Sequence, residues 1–364
     1  MAELSDTLLL VAAVIYVAAM LGYLVEFAFG TRGAVARVAT RPARELVAVG
    51  APVGASGVDI VSPVQPDQPV REGGTTPAPG RTGVAGVIGV ALTVLGLAVH
   101  VGVLVTRGMA AGRVPWGNMY EFVVTLTAVF ALGWIVLLAL RPTLRPLGLF
   151  VTGAQALLLG FAGLVLTTPA APLMPALQSV WLKIHVSAAA AASGLFLLAF
   201  VPAALYLIRA GYDVRSRPAV AGSGATESGV SESDASGLAA DGTPAPRVVG
   251  FPYSLGRALP AADTLERLAF RLHAFAFPIW TLAIICGAIW AEAAWGRYWG
   301  WDPKETWSFI SWVAYAAYLH ARATPSVKRT TATWFAVAAW LTMVINLYVI
   351  NFVAVGLHSY AGLD

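Results

Sequence analysis

The sequence predicts an all-α, polytopic membrane protein of about eight transmembrane helices, and three observations carry that reading. Of the 364 residues, 58% are hydrophobic and only 12% charged, more apolar and less charged than soluble domains usually are. The apolar residues are gathered into runs of about twenty, the length a helix needs to cross a hydrocarbon core. The basic residues are gathered into alternate segments between those runs, as cytoplasmic loops require.

The first run, 8–29, follows an acidic flank containing Glu3 and Asp6 and precedes Arg32 and Arg37. A cleavable secretion signal carries its positive charge ahead of the apolar stretch, so this run reads as a retained span. Residues 31–82, rich in Pro, Gly, Val and Asp from residue 41 onward, bury too little apolar surface to fold alone and are expected to be a disordered cytoplasmic linker. Spans two to five follow near 83–105, 120–140, 147–167 and 183–208, within 83–209. Residues 210–262, dominated by Ala, Ser, Gly, Glu and Asp, form a second expected linker. The last three spans lie near 275–291, 305–321 and 331–355, within 263–364.

With the N-terminus outside, the segments 30–82, 141–146, 209–274 and 320–330 face inward. They hold 6, 2, 7 and 3 Lys plus Arg, or 18 of the 23. Arg107, Arg113, Lys183, Arg297 and Lys304 remain outside. Both termini are therefore expected on the outer side. The formal net charge of +4 comes from these loops and is no nucleic-acid footprint. Cys286 is the single cysteine, so the chain makes no internal disulfide and no CxxC redox pair. There is no Gly-rich phosphate loop.

Two outer segments are unusual. In the loop before the third span, Asn118 suits a helix N-cap, and Trp116 and Tyr120 are either interfacial anchors or pocket residues; Glu121 closes this loop. The second segment is 290–312, where six of the twelve Trp fall within 23 residues. Asp302, Pro303 and Glu305 have the spacing of a capping box with Pro at the first helical position, so a helix begins there and runs inward. Gly296 and Gly300 let the preceding backbone lie across the surface. The tryptophans Trp295, Trp299, Trp301, Trp307 and Trp312, with Asp302, form an aromatic platform that suits a planar macrocycle. Arg297 and Lys304, beside a helix N-terminus, suit anionic groups on its edge.

The run Trp299-Gly300-Trp301-Asp302-Pro303-Lys304-Glu305-Thr306-Trp307 resembles the WWD signature of the CcsA/ResC family, the haem-handling subunit of System II cytochrome c biogenesis (called CcsB in some bacteria). The flanks Phe277-Pro278, Gly287-Ala288-Ile289-Trp290-Ala291 and Tyr318-Leu319-His320 agree with it, as does the Pro115–Glu121 loop. The likeness covers about 83–210 and 262–360.

Depth sorts the five histidines. His185, at the outer end of span five, and His358, after span eight, share the depth of the platform and are placed to ligate one haem iron from its two faces, as the family's two external histidines do. His320 lies 17 residues after Pro303, roughly 26 Å along a helix, so it cannot share that iron. The resemblance implies a second, inner haem with His320 as a ligand and the other ligand from a ResB/CcsB-type membrane subunit. His273 reads as a boundary residue and the fallback ligand; His100 reads as a packing histidine.

The resemblance further implies a haem lyase acting as part of a complex. Haem b would cross the membrane and be joined by thioethers to the CxxCH motif of an apocytochrome c. The site would face outward from a bacterial plasma membrane; twenty Arg against three Lys agree with a GC-rich bacterium. The alternatives are an electron-transferring membrane b-type cytochrome and a non-catalytic subunit of the maturation complex. From the charge asymmetry, a reporter fused after Val230 should read cytoplasmic and one fused after Asp364 extracytoplasmic. The same sidedness at both points would refute the topology.

Overall fold

The computed structural model describes residues 1–30, 81–171, 178–217, 249–354 and 356–358. Most of the two expected linkers, 31–80 and 218–248, lies outside the described residues, so their expected disorder is not tested. Among the described residues there are no strands. Eight long helices follow in order: α1 (Ala2–Phe29), α2 (Arg81–Ala111), α3 (Met119–Leu140), α4 (Gly148–Val165), α5 (Val180–Arg215), α6 (Ala262–Trp295), α7 (Pro303–Ala323) and α8 (Arg329–Val344). A π-helical turn, Ile345–Val349, and a last turn, Ile350–Val353, extend α8.

Seven of these are long and apolar enough to cross a membrane, α4 together with the 3-10 turn before it and α8 together with its extension. The remaining expected span, the seventh in order, is α7; it has the length but not the apolarity, because Lys304, Glu305, Ser308 and Ser311 lie along it. Its path is nonetheless that of a span. A short turn joins it to α8, and its first residues meet the segment after α8 at the far end, where Asp302 and His358 are 2.9 Å apart. It therefore traverses the same depth as α8. Large apolar side chains such as Leu10, Val14, Leu21, Leu157 and Leu164 lie exposed on the bundle's outside, a surface that bilayer lipid covers and water would not tolerate.

Two expected boundaries move. α5 continues to Arg215 and α6 already begins at Ala262, while 249–261 folds back on α5. Arg209 donates from Nη1 to the Leu259 carbonyl at 2.8 Å and to the Gly256 carbonyl at 3.2 Å. These contacts arise only in the folded chain, so composition did not mark them.

The most extensive helix pairings are α5 with α6 and α1 with α2, followed by α7 with α8 and α1 with α4. α5 is the central helix. Its buried stretch Ala188, Ala189, Ala190, Ala192, Ser193 and Gly194 lets neighbouring backbones approach closely, which is how helices associate where lipid removes the hydrophobic drive between them. Three helices start at one end of the bundle with a side-chain cap. Asn118 accepts from the Glu121 N–H at 2.9 Å and Ser179 from the Trp181 N–H at 3.2 Å. Asp302 and Glu305 form the expected capping box.

Glu121 anchors the loop before α3. Its carboxylate accepts from Arg107 Nε at 3.1 Å, from Arg113 Nη1 at 2.6 Å and from the Gly117 N–H at 2.8 Å. Arg113 also donates to the Ala171 carbonyl at 3.0 Å, and Arg107 to the Thr168 carbonyl. One buried carboxylate thus ties α2 and two connecting loops to α3. Removing it leaves two largely buried guanidinium groups without their counter-ion, a change that costs about 3–5 kcal/mol in buried pairs. Glu121→Ala should therefore lower the thermal midpoint of the purified protein by many degrees; an unchanged midpoint would show that the loop is held by other contacts.

Candidate functional site

The capped end of the bundle encloses a cavity. The start of α5, the end of α6, the start of α7, the extension of α8 and the loop before α3 all contribute to its wall. Its empty space, open mouth included, is about 1230 Å³. Its wall is chiefly apolar and aromatic, with Trp116, Trp280, Trp290, Trp295 and Trp299 contributing rings.

His185 and His358 both line this cavity. His185, half-buried on α5, engages the Ala283 carbonyl of α6 through Nδ1 at 2.7 Å. That contact needs the two helices unusually close. A Cβ on Gly287 would sit 2.6 Å from His185 Nδ1, so glycine at 287 makes room for the ring. His358 donates from Nδ1 to Asp302 Oδ2 at 2.9 Å, and the Leu357 N–H donates to Asp302 Oδ1 at 2.7 Å. Gly356 allows this approach too, since a Cβ there would lie 2.4 Å from Asp302 Oδ1. The ring of His358 meets Trp295 edge-on at 5.5 Å and Trp290 at 6.3 Å.

Both imidazoles are therefore oriented through Nδ1 by an acceptor, which places the lone pair on Nε2. This is the arrangement found behind metal-ligating histidines. Burial raises the pKa of the Asp302 carboxyl, but the hydrogen bonds from His358 and from the Leu357 and Lys304 N–H groups outweigh it and hold the group below the usual carboxylate range. Asp302 thus stays an acceptor. Among the described residues no group of three or more His, Cys, Asp or Glu could hold a bare metal ion. Two imidazoles suit a metal that brings its own equatorial ligands, as haem iron does.

The expected platform is redistributed. Trp295 and Trp299 line the cavity, but Trp301, Trp307 and Trp312 do not. Trp301 adopts a positive φ of 58°, an uncommon conformation for a bulky side chain, and is 66% exposed. Trp312 donates from Nε1 to Thr281 Oγ1 at 2.9 Å and packs beside Phe277 and Phe309. The reason is helical phase at Trp307 and distance along α7 at Trp312. Once α7 starts at Pro303, position 307 turns away from Lys304, Glu305 and Ser308, which line the cavity, whereas position 312 shares the face of Ser308 but lies a turn further along, packed against Thr281 and Phe277. Asp302 acts behind the wall, through His358.

Of the two candidate cations, Lys304 lines the cavity and donates from Nζ to the Asn346 carbonyl at 2.9 Å. Arg297 is exposed and folds its guanidinium over Gly300, outside the wall. In the loop before α3, Trp116 and Asn118 line the cavity, whereas Tyr120 and Glu121 turn inward to Arg107 and Arg113. His320 is exposed at the opposite end of the bundle. His273 is buried, bonded through Nδ1 to the Ala269 carbonyl at 2.7 Å and packed against Tyr318 and Tyr315. It thus faces the interior while His320 faces outward. His100 is a packing histidine, bonded to the Val124 carbonyl at 2.9 Å and edge-on to Tyr16.

The expected set omitted Trp280, Trp290, Ser308, Asn346 and Asn351, which also line the cavity. Asn346 and Asn351 carried a readable signal, two amides inside an apolar span. The π-helical turn Ile345–Val349 lies at this point, and such turns often occur at functional sites.

The comparisons agree with this end of the molecule. Residues 116–358 match the family described as Cytochrome C assembly protein, a range that starts at the cavity's Trp116 and ends at its His358. A Rippkaea orientalis protein named Cytochrome c biogenesis protein CcsA is 33% identical over 306 residues, covering 76% of this chain and 87% of that protein. Proteins of the same name from Guillardia theta and Hordeum vulgare are each 33% identical, over 281 and 269 residues. They cover 76% and 71% of this chain, and 86% and 81% of their own lengths. The chain belongs to the cytochrome c assembly protein family, as a CcsA-type member with a role in cytochrome c maturation.

Proposed function

We propose that the chain holds haem between His185 and His358 at the outer face of a bacterial plasma membrane and presents it to an apocytochrome c. The observation that carries the reading is the pair of imidazoles on one aromatic cavity, each oriented through Nδ1. An apolar wall with rings on several sides suits the flat face of a porphyrin, and Lys304 suits a propionate.

The reaction we assign is addition of two substrate thiols to the two haem vinyl groups. Each addition breaks one thiol S–H bond and one C=C π bond and forms one C–S and one C–H bond, so no electrons are gained or lost. The nucleophiles come with the CxxCH motif, and no side chain of this protein needs to be one. What the protein supplies is orientation, exclusion of water and two axial ligands. The substrate's own histidine replaces one of them as product leaves. A ResB/CcsB-type membrane subunit completes the lyase. It supplies the second ligand of an inner haem at His320, which loads the outer site.

His185→Ala or His358→Ala should abolish holocytochrome c formation in cells, and added imidazole should restore part of it by filling the vacant axial position. Normal maturation in either variant would overturn the outer-site assignment. Gly287→Val should have a similar effect, because it fills the space of the His185 ring; here the haem absorption of the purified protein is the readout, and wild-type haem content would count against the geometry. His320→Ala, co-expressed with the partner, should lower total haem while leaving the outer ligands in place. Wild-type loading would remove the inner site, whereas equal loss in His273→Ala would move its second ligand into this chain.

A further inference from the structure

A second cavity lies at the opposite end of the bundle from the tryptophans. Its walls come from the turn after α3 (Thr143, Leu144), the end of α5 (Arg209, Tyr212) and the residues that lead into α6 (Arg257 to Thr264). Its space, open mouth included, is about 980 Å³. Unlike the tryptophan cavity, its wall is predominantly polar. It carries two arginines and, among the described residues, no acidic side chain.

The two arginines differ. Arg209 is a structural group: Nε donates to Asp213 at 2.9 Å, and Nη1 holds the Gly256 and Leu259 carbonyls. Its charge is therefore largely balanced. Arg257 is half-buried, and among the described residues it has no ion pair. A guanidinium drawn into a cavity without a counter-ion is poised for an external anion. The surroundings favour the same ligand. The hydroxyl-bearing Thr143, Tyr212 and Thr264 line the space. α6 begins there with Ala261 as N-cap, whose side chain makes no cap hydrogen bond although its carbonyl accepts from the Thr264 N–H at 3.0 Å, and a helix N-terminus adds partial positive charge. Asp263, in that first turn, offsets some of this charge but does not line the cavity.

The position argues for the source of the anion. The cavity sits where α3 and α5 end and α6 begins, at the boundary of the membrane-crossing stretch. Apolar residues at the same end, Leu140 and Phe251, are 73% and 83% exposed, which suits contact with acyl chains. We propose that this cavity binds the phosphodiester headgroup of an anionic membrane lipid, with Arg257 as the principal contact. Basic pockets between transmembrane helices are a recurrent way to hold such headgroups. This site is independent of the haem reading, since no residue is shared between the two cavities.

The test uses the full-length protein in detergent, titrated calorimetrically with short-chain phosphatidylglycerol, short-chain phosphatidylcholine and inorganic phosphate. The expected result is saturable binding of phosphatidylglycerol, at least about tenfold tighter than phosphatidylcholine or inorganic phosphate. Arg257→Gln should weaken it about tenfold or more, and Arg257→Lys should keep most of it, with the thermal midpoint unchanged in both. Equal binding by Arg257→Gln and wild type, or no preference over phosphatidylcholine, would overturn the site. Inorganic phosphate binding as tightly as the lipid would make free phosphate the ligand and overturn the lipid assignment. Should Arg257→Gln fail to fold, Thr264→Val, which removes only a hydroxyl, must weaken phosphatidylglycerol binding for the proposal to stand.

Discussion

Asp302 is the carboxylate on which the site is assembled. It caps α7 by accepting the Lys304 N–H, and it receives His358 Nδ1 and the Leu357 N–H from a segment that follows α8. One side chain thus starts a helix, orders the segment beyond α8 and orients a candidate iron ligand. Each role requires the ionised form, and the hydrogen bonds that converge on Asp302 are what keep it ionised despite burial. Its neighbour in the motif, Trp301, takes a left-handed backbone conformation that the surrounding contacts must over-determine.

The bilayer explains why the chemistry is concentrated at helix ends. Within the span every backbone polar group must be satisfied by the helix itself, so free amides, carbonyls and irregular backbone collect where helices begin and stop. The tryptophan cavity is built from three capped helix starts and two helix finishes. Its polar atoms belong to caps, to a π-helical turn and to a loop fastened by Glu121. The second cavity is made of the same kind of material at the other end, with arginines in place of tryptophans. α5 holds the two ends in register, because its small residues allow α3 and α6 to pack against it along much of its length.

The site contains no nucleophile with a base beside it, and the proposed reaction needs none. The two imidazoles are held from behind in different ways, one by a carbonyl and one by a carboxylate. His358 is backed by a carboxylate, while His185 is held by helix–helix packing at Gly287. In the proposed function, that asymmetry would give a physical basis for one of the two being displaced before the other.

The sequence by itself determined the helical membrane fold, the start of α7 at Asp302 and the end of the molecule where His185, His358 and the tryptophans meet. These follow from run length, cap spacing and depth, all properties of neighbouring residues. It did not determine which tryptophans face the cavity, since a cluster in sequence is divided by helix phase and by distance along the helix once α7 is packed. Trp280, Asn346 and Asn351 reach the cavity only because α6 and α8 pack beside α5 and α7. Glu121 read only as the end of the loop before the third span and proved to be the anchor for Arg107 and Arg113, whose approach depends on loops far apart in the chain. Tertiary structure decided these points because a side chain's partner across the bundle is set by packing between helices, and no local pattern encodes it.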